Sequence, residues 1–163
     1  MNPSPFQLLE PQAQRHVDHR GHLDVLYEQG EVILKRSFSK AGVFRGMHWQ
    51  RPPHAQTKLI RVAAGRILDF VVDPSEVPAR LYRRELGPTD GWVHIKAHLA
   101  HGFYAMEDTV FEYLCIGAYN EDAECSFSIP HHLETTLGLT QFTLSAKDAT
   151  ALPLEVIDGG VAT

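Results

Sequence analysis

Apolar residues in this chain recur in short runs with a period of two, and turn-forming residues interrupt the runs at fairly regular intervals. Leu23 to Tyr27, Glu31 to Phe38 (EVILKRSF) and Val43 to Gln50 read as strands. Lys58 to Ala63 (KLIRVA) and Arg66 to Val72 (RILDFVV) follow, with Ala64-Gly65 between them as a tight hairpin signal. Gly91 to Ile95, Phe103 to Met106, Thr109 to Ile116 (TVFEYLCI), Cys125 to Ile129 and Phe142 to Leu144 complete the set. Helical periodicity is scarce. Its best candidate is the tail SAKDATALPLEV, where Ser145 is placed to cap a short turn. Many short strands with turn signals predict a single all-β domain over residues 1–163. The expected fold is a cupin-like jelly roll, a double-stranded β-helix barrel with a short C-terminal helical segment. Such a barrel closes around a cavity that can hold a small ligand.

Strand periodicity also predicts facing. In TVFEYLCI, Phe111, Tyr113 and Cys115 share one face, while Val110, Glu112, Leu114 and Ile116 share the other. Both faces are largely apolar, which predicts a central strand covered on both sides. The Tyr113 hydroxyl and the Glu112 carboxylate then need partners. In VFRGMHWQ, strict alternation puts Phe44, Gly46, His48 and Gln50 on one face and Arg45 on the other. A bulge at Gly46 would bring Arg45 back beside His48, and glycines inside strands mark such bulges.

Composition narrows the function. A formal net charge of -5 and a pI near 6.0 argue against a nucleic-acid binder. No apolar run approaches the roughly 20 residues that cross a bilayer, so no membrane partner is expected. The segment MNPSPFQLLE has neither the basic nor the apolar part of a leader, which points to a cytoplasmic protein. Cys115 and Cys125 are too few for a disulfide scaffold and read as buried or half-buried free thiols.

Histidine is the main candidate for chemistry, with ten in the chain. The clusters HVDHRGH (His16, His19, His22) and Pro130-His131-His132 read as exposed segments, whereas His48 lies in a strand and His94, His98 and His101 surround a short loop. A cupin metal site usually presents two histidines as HxH, a following glutamate and a distant third histidine. Here His48 stands alone, followed by Trp49 and Gln50, so no metal is expected. The alternative is metal-free enolisation: a histidine base oriented by an aspartate, a cation for the enolate oxygen, and an acid on the opposite face. His48, an aspartate, Lys58 and Tyr113 have the right chemistry, but their scatter along the chain leaves the assignment open.

The segment GVFRGMHWQRPPHAQTKLIRVAAGRILDFVVD resembles the nucleotide-sugar 3,5-epimerases, which act on 4-keto-6-deoxyhexoses. That family carries LRGLHxQ, then AQxKLVRV, then G-x-x-x-D-V-x-V-D. Further on, LAHGF is similar to its FAHGF, VFEYLCIGAYNEDAE to its aromatic strand ending in YxPxxE, and LSAKDA to its closing LSxKD. The likeness runs roughly from residue 18 to 150. It implies catalytic roles for His48 as base, Asp148 as its orienting partner, Lys58 at the C4 oxygen and Tyr113 as the acid that returns a proton. It places His101, Arg45, Arg20 and Gln50 around the substrate, with the arginines suited to diphosphate. It also implies a nucleotide-sugar substrate, no cofactor and a homodimer with strands exchanged or sheets packed.

The chain departs from that pattern where the family reads its nucleotide. RGHLDVLYE puts His22, Leu23 and Val25 where an aromatic residue and a glutamate are usual. VILKRSFS stands in place of Q-x-N-H-S, WVHIKAHLAHGF has Lys96-Ala97-His98 for Pro-Glu-Gly, and LGLTQF replaces I-x-W-P. The carrier therefore stays open among dTDP, GDP, UDP and CDP. Two other functions share the pattern: a sugar-nucleotide 3,4-ketoisomerase, and a non-catalytic or metal-binding cupin.

Overall fold

The computed structural model describes residues 14–162, and MNPSPFQLLE lies outside them. The chain runs through β1 (Arg15–Asp18), β2 (Gly21–Gln29), β3 (Val32–Ser39), β4 (Phe44–Gln50), β5 (Thr57–Ala64) and β6 (Ile67–Val72). It continues through β7 (Ala79–Leu86), β8 (Val93–Ile95), β9 (Ala100–Ala105), β10 (Thr109–Ile116) and β11 (Glu124–Ser126). Two short helices, α1 (Pro130–Leu137) and α2 (Ala146–Ala149), precede β12 (Val156–Val161). The strands form two six-stranded sheets, ordered β1-β2-β3-β10-β5-β8 and β11-β4-β9-β6-β7-β12. Every pairing is antiparallel except β12 on β7, the arrangement of a cupin-like jelly roll.

Two apolar layers hold the sheets. Between them lie Ile60, Val62 and Phe111 of the first sheet against Ile67, Phe103 and Ala105 of the second. Behind the second sheet, Phe44, Met47, Phe70 and Leu81 pack under Ile129 and Leu133 at α1. The second sheet is thus covered on both faces. The outer face of the first sheet is covered less: Val17, Tyr27 and Ile116 are 74%, 42% and 43% exposed. β10 is central in its sheet, as its pattern predicts, but its outer face is open rather than packed. Glu112 on that face is buried between two guanidiniums, accepting from Arg36 Nη2 and Arg61 Nε, each at 2.6 Å.

The expected hairpin at Ala64-Gly65 is not formed. β5 pairs with β8 and β10, whereas β6 pairs with β7 and β9, so this turn is a corner between sheets. Gly65 has φ +83°, and a Cβ there would lie 2.3 Å from the Asp108 carbonyl oxygen, so only glycine fits the corner. Phe142 to Leu144 makes only a bridge, Thr143 to Val43. The sequence reading lacked β1, β7, β12 and α1. β7 alternates arginines and glutamate with Ala79, Leu81 and Leu86, and β12 is glycine-rich, so neither shows an apolar run. The Pro130-His131-His132 segment is not exposed throughout: it opens α1, with Pro130 at the start and Gly138 in the left-handed region (φ +67°) at the end. His132 and Leu133 are the buried residues of this helix.

Candidate active site

Between the sheets lies a cavity of about 270 Å³. Strand alternation on β10 aims Phe111 and Tyr113 into it, and the flanking β3 and β5 contribute Lys35, Ser37, Lys58 and Ile60. The facing wall comes from β4 and β9, with Arg45, His48, His101 and Phe103. Arg20 and Leu23 close one side, and Tyr119 with Glu124 stand at the other.

Arg45 reaches this cavity because of a bulge. The β4–β9 register shifts between Arg45 and His48, so both face inward while Phe44 and Met47 face the second core. Gly46 at the bulge has φ +134°, and a Cβ there would come within 2.5 Å of Gly102 Cα. The close approach of two glycine backbones lets β4 kink without leaving β9. Arg45 Nε donates to Ser39 Oγ at 2.8 Å, which anchors its base and aims the rest of the fork.

His48 Nε2 lies 2.6 Å from Asp148 Oδ1. Asp148 is 2% exposed and sits on α2, where the Ser145 hydroxyl caps the helix by accepting from the Asp148 N–H at 3.0 Å. Burial alone would raise the Asp148 carboxyl, but the His48 hydrogen bond and charge, helped by the Gly46 N–H, hold it below its ordinary range. An ionised carboxylate only accepts, so Nε2 carries the ring proton and Nδ1 keeps its lone pair. A second pair sits beside the first: His101 Nε2 is 2.6 Å from Asp69 Oδ1, both groups buried, with the His101 ring stacked on Phe111 at 6.2 Å.

Cations crowd the rest of the cavity. Lys58 Nζ donates to the His48 carbonyl at 3.5 Å, and burial pushes its pKa down, with the nearby Lys35 charge acting in the same direction. Arg20 is neutralised by Asp18, whose carboxyl is held at about 2 by that hydrogen bond. Glu124 is already paired, accepting from Lys147 Nζ at 2.5 Å and Tyr119 Oη at 2.9 Å. Burial raises the Tyr113 phenol, so it holds its proton and can donate it. The arrangement offers a base on one wall, an acid on the facing wall and two lysines, Lys35 and Lys58, that make no ion pair among the described residues. Among the described residues, no three histidine, cysteine or acidic side chains converge as a metal site.

Seven of the eight sequence-predicted site residues meet here: His48, Lys58, Tyr113, His101, Arg45 and Arg20 line the cavity, and Asp148 backs His48. Gln50, expected at the substrate, is placed elsewhere. It is buried, its Nε2 donates to the His54 and Ala118 carbonyls, and its Oε1 accepts from the Asn120 N–H. Its amide straps two loops together. Sequence reasoning missed Asp69, Lys35 and Ser37. Asp69 was visible as a lone acid inside the apolar run RILDFVV, and Lys35 as a cation beside Arg36 in EVILKRSF.

A double-sheet jelly roll enclosing an aspartate-backed histidine that faces a tyrosine defines a cupin-like architecture with an acid–base pair across its cavity. A sequence model described as dTDP-4-dehydrorhamnose 3,5-epimerase matches residues 7–155. The chain belongs to this family. A Streptomyces griseus dTDP-4-dehydrorhamnose 3,5-epimerase is 31% identical over 135 residues, covering 77% of this chain and 66% of that protein. The Sulfolobus tokodaii enzyme of the same name superposes with a TM-score of 0.65 at 30% identity, covering 86% of each chain. A Legionella pneumophila dTDP-6-deoxy-D-glucose-3,5-epimerase, solved with dTDP-4-keto-L-rhamnose, gives a TM-score of 0.65 at 28% identity, covering 89% of this chain and 86% of that one. Against a Mycobacterium tuberculosis relative the match covers 46% of that protein, so the chain spans about half to two thirds of these curated relatives.

Proposed function

We propose that this protein is an isomerase that inverts C3, C5 or both in a nucleotide-linked 4-keto-6-deoxy sugar. The observation that carries this reading is the pair of His48 and Tyr113 on facing walls of one cavity, with Asp148 at 2.6 Å behind the histidine. His48 Nδ1 removes the proton next to the ketone, and Asp148 stabilises the imidazolium so formed. Negative charge moves to the C4 oxygen, where the Lys58 ammonium meets it, and one such donor is typically worth roughly 3–4 kcal/mol. Tyr113 then returns a proton from the opposite face, which inverts the carbon. Side chains supply every part of this cycle, so it runs without organic cofactor or metal. Arg45 and Arg20 hold the diphosphate. The dTDP-sugar relatives support a nucleotide-sugar substrate; Leu23 and Val25 leave the carrier base open.

The test is incubation with several nucleotide-linked 4-keto-6-deoxyhexoses in deuterated buffer containing a chelator, followed by NMR. Deuterium at C3 or C5 with inversion is expected, and His48→Ala should abolish it while the fold persists. A carbonyl that migrates along the ring, or no exchange at all, would overturn the reading.

The protein also acts, on this reading, as a homodimer in the cytoplasm. The open outer face of the first sheet, with Val17, Tyr27 and Ile116 exposed, supports pairing through that face. Sedimentation should give twice the chain mass, and a monomer at micromolar concentration would refute it.

A further inference from the structure

The cavity holds a cation that the proton-transfer scheme above does not use. Lys35 lies directly across from Tyr113 on the neighbouring strand. Its Nζ stands over the Tyr113 ring, 5.8 Å from the centroid, and equally 5.8 Å from the Tyr119 ring. Among the described residues it makes no hydrogen bond or ion pair, although four carboxylates nearby in the fold are each engaged: Asp18 by Arg20, Asp69 by His101, Glu124 by Lys147 and Asp148 by His48. Lys58 lines the same cavity from β5, across from Cys115 and two residues along β10 from Tyr113, and the Arg45 and Arg20 charges also bear on the phenol. Tyr119, half-exposed, is held by its hydrogen bond to Glu124. The ammonium thus lies within cation–π reach of both rings.

Resting on the epimerase reading, we propose that Lys35 is a positioning residue for the proton-return step: its ammonium stabilises the phenolate that Tyr113 becomes when it protonates the enolate. In that step the Tyr113 O–H bond breaks and a C–H bond forms from the enolate electron pair. The ketone is restored, and one negative charge is left on the phenol oxygen. The His48 imidazolium and the phenolate are then reset through solvent. A cation over an aromatic face gains most when the ring becomes an anion in a site shielded from water. Without this help the buried phenol is a poor donor, since burial opposes its ionisation. The enolate would then be reprotonated from the side it came from, by His48. Lys35 thus governs the choice between inversion and mere exchange.

That choice is measurable in deuterated buffer as the ratio of deuterium found in recovered substrate to product formed. Lys35→Met should raise this ratio roughly tenfold, the effect of about 1.4 kcal/mol on the return step alone, while the exchange rate changes little. Lys35→Arg, which can also lie over a tyrosine face, should restore the wild-type ratio. Lys35→Gln gives the same comparison should the methionine variant not fold. If the variants lose exchange and inversion in equal measure, or gain only a higher KM, Lys35 is holding substrate or enolate and the proposal is wrong. A wild-type protein that neither exchanges nor inverts refutes instead the epimerase reading beneath it.

Discussion

Asp148→Asn removes one charge from the site and almost no volume. In the folded protein the Asp148 carboxylate accepts from His48 Nε2 at 2.6 Å and, more weakly, from the Gly46 N–H at 3.4 Å, in a position 2% exposed. A hydrogen bond to a charged group contributes roughly 1.5–3 kcal/mol against about 1 for a neutral one. The imidazolium formed on proton abstraction therefore loses about 1–2 kcal/mol, a factor of roughly 5 to 30 in rate. The asparagine amide can also donate to Nε2, which moves the ring proton to Nδ1 and removes the lone pair that faces substrate. In hydrolase triads such a tautomer error costs about 10⁴. The expected loss in kcat is thus about 10²–10⁴, with KM nearly unchanged, read as deuterium uptake by NMR. Stability supplies an independent check with a defined sign. The Asp148 carboxyl is depressed in the folded state, so its contribution is complete above its ordinary value of 3.8 and is lost as pH falls through the lower folded value. Wild type should therefore melt above the variant at neutral pH, and the gap should close in acid. A variant that exchanges within about threefold of wild type would refute the role given to Asp148, since the transition state would then gain less than about 0.7 kcal/mol from the pair.

Three further variants test the scaffold. Glu112→Gln leaves Arg36 and Arg61 on a carboxamide that cannot satisfy both, at a site with the carboxyl 7% exposed and the guanidiniums 41% and 44% exposed. Solvent screening of the arginines limits the loss to about 1–2 kcal/mol, seen as a lower urea midpoint; because Arg36 and Arg61 depress the Glu112 carboxyl despite its burial, the gap between the proteins should shrink in acid. Gly46→Ala forces a Cβ to within 2.5 Å of Gly102 Cα at φ +134°, so the bulge must open; activity should fall more than stability, because Arg45 and His48 share that bulge. Gln50→Leu frees the carbonyls of His54 and Ala118 and the N–H of Asn120, which should lower Tm by several degrees while KM for the sugar nucleotide holds within about twofold. A large KM change in that variant would return Gln50 to the substrate.

Local pattern revealed most of the strands because short runs rich in β-branched and aromatic residues between turn signals mark strands, and β3, β4, β5, β6 and β10 carry such runs. The strands it concealed are those whose pairing rather than composition holds them. β12 reads VIDGGV and would not be extended by propensity, yet it adds to β7 at the sheet edge. The Ala64-Gly65 corner shows the same limit from the other side. A tight turn between two apolar runs is consistent either with two paired strands or with two strands in opposed sheets. The deciding contact, Gly65 against Asp108, is far along the chain.

The candidate site was legible in its parts but not in its geometry. His48, Lys58, Tyr113 and Asp148 are identifiable by type and by likeness to a family, yet a base and an acid invert a carbon only if they face each other. That relation is made by two sheets closing: β4 carries His48 on one wall, and β10 carries Tyr113 on the other. Asp148 reaches His48 across 100 positions through a four-residue helix capped by Ser145. One local clue did foretell part of this: a glycine in the middle of an inward-facing strand. With alternation unbroken, either Arg45 or His48 would point into the second core, where an uncompensated charge costs several kcal/mol. The bulge at Gly46 removes that conflict, and the same bulge turns its N–H toward the Asp148 carboxylate. Gly46 therefore links the two halves of the candidate mechanism, the arginine suited to phosphate and the aspartate-backed base, within four consecutive residues of one strand.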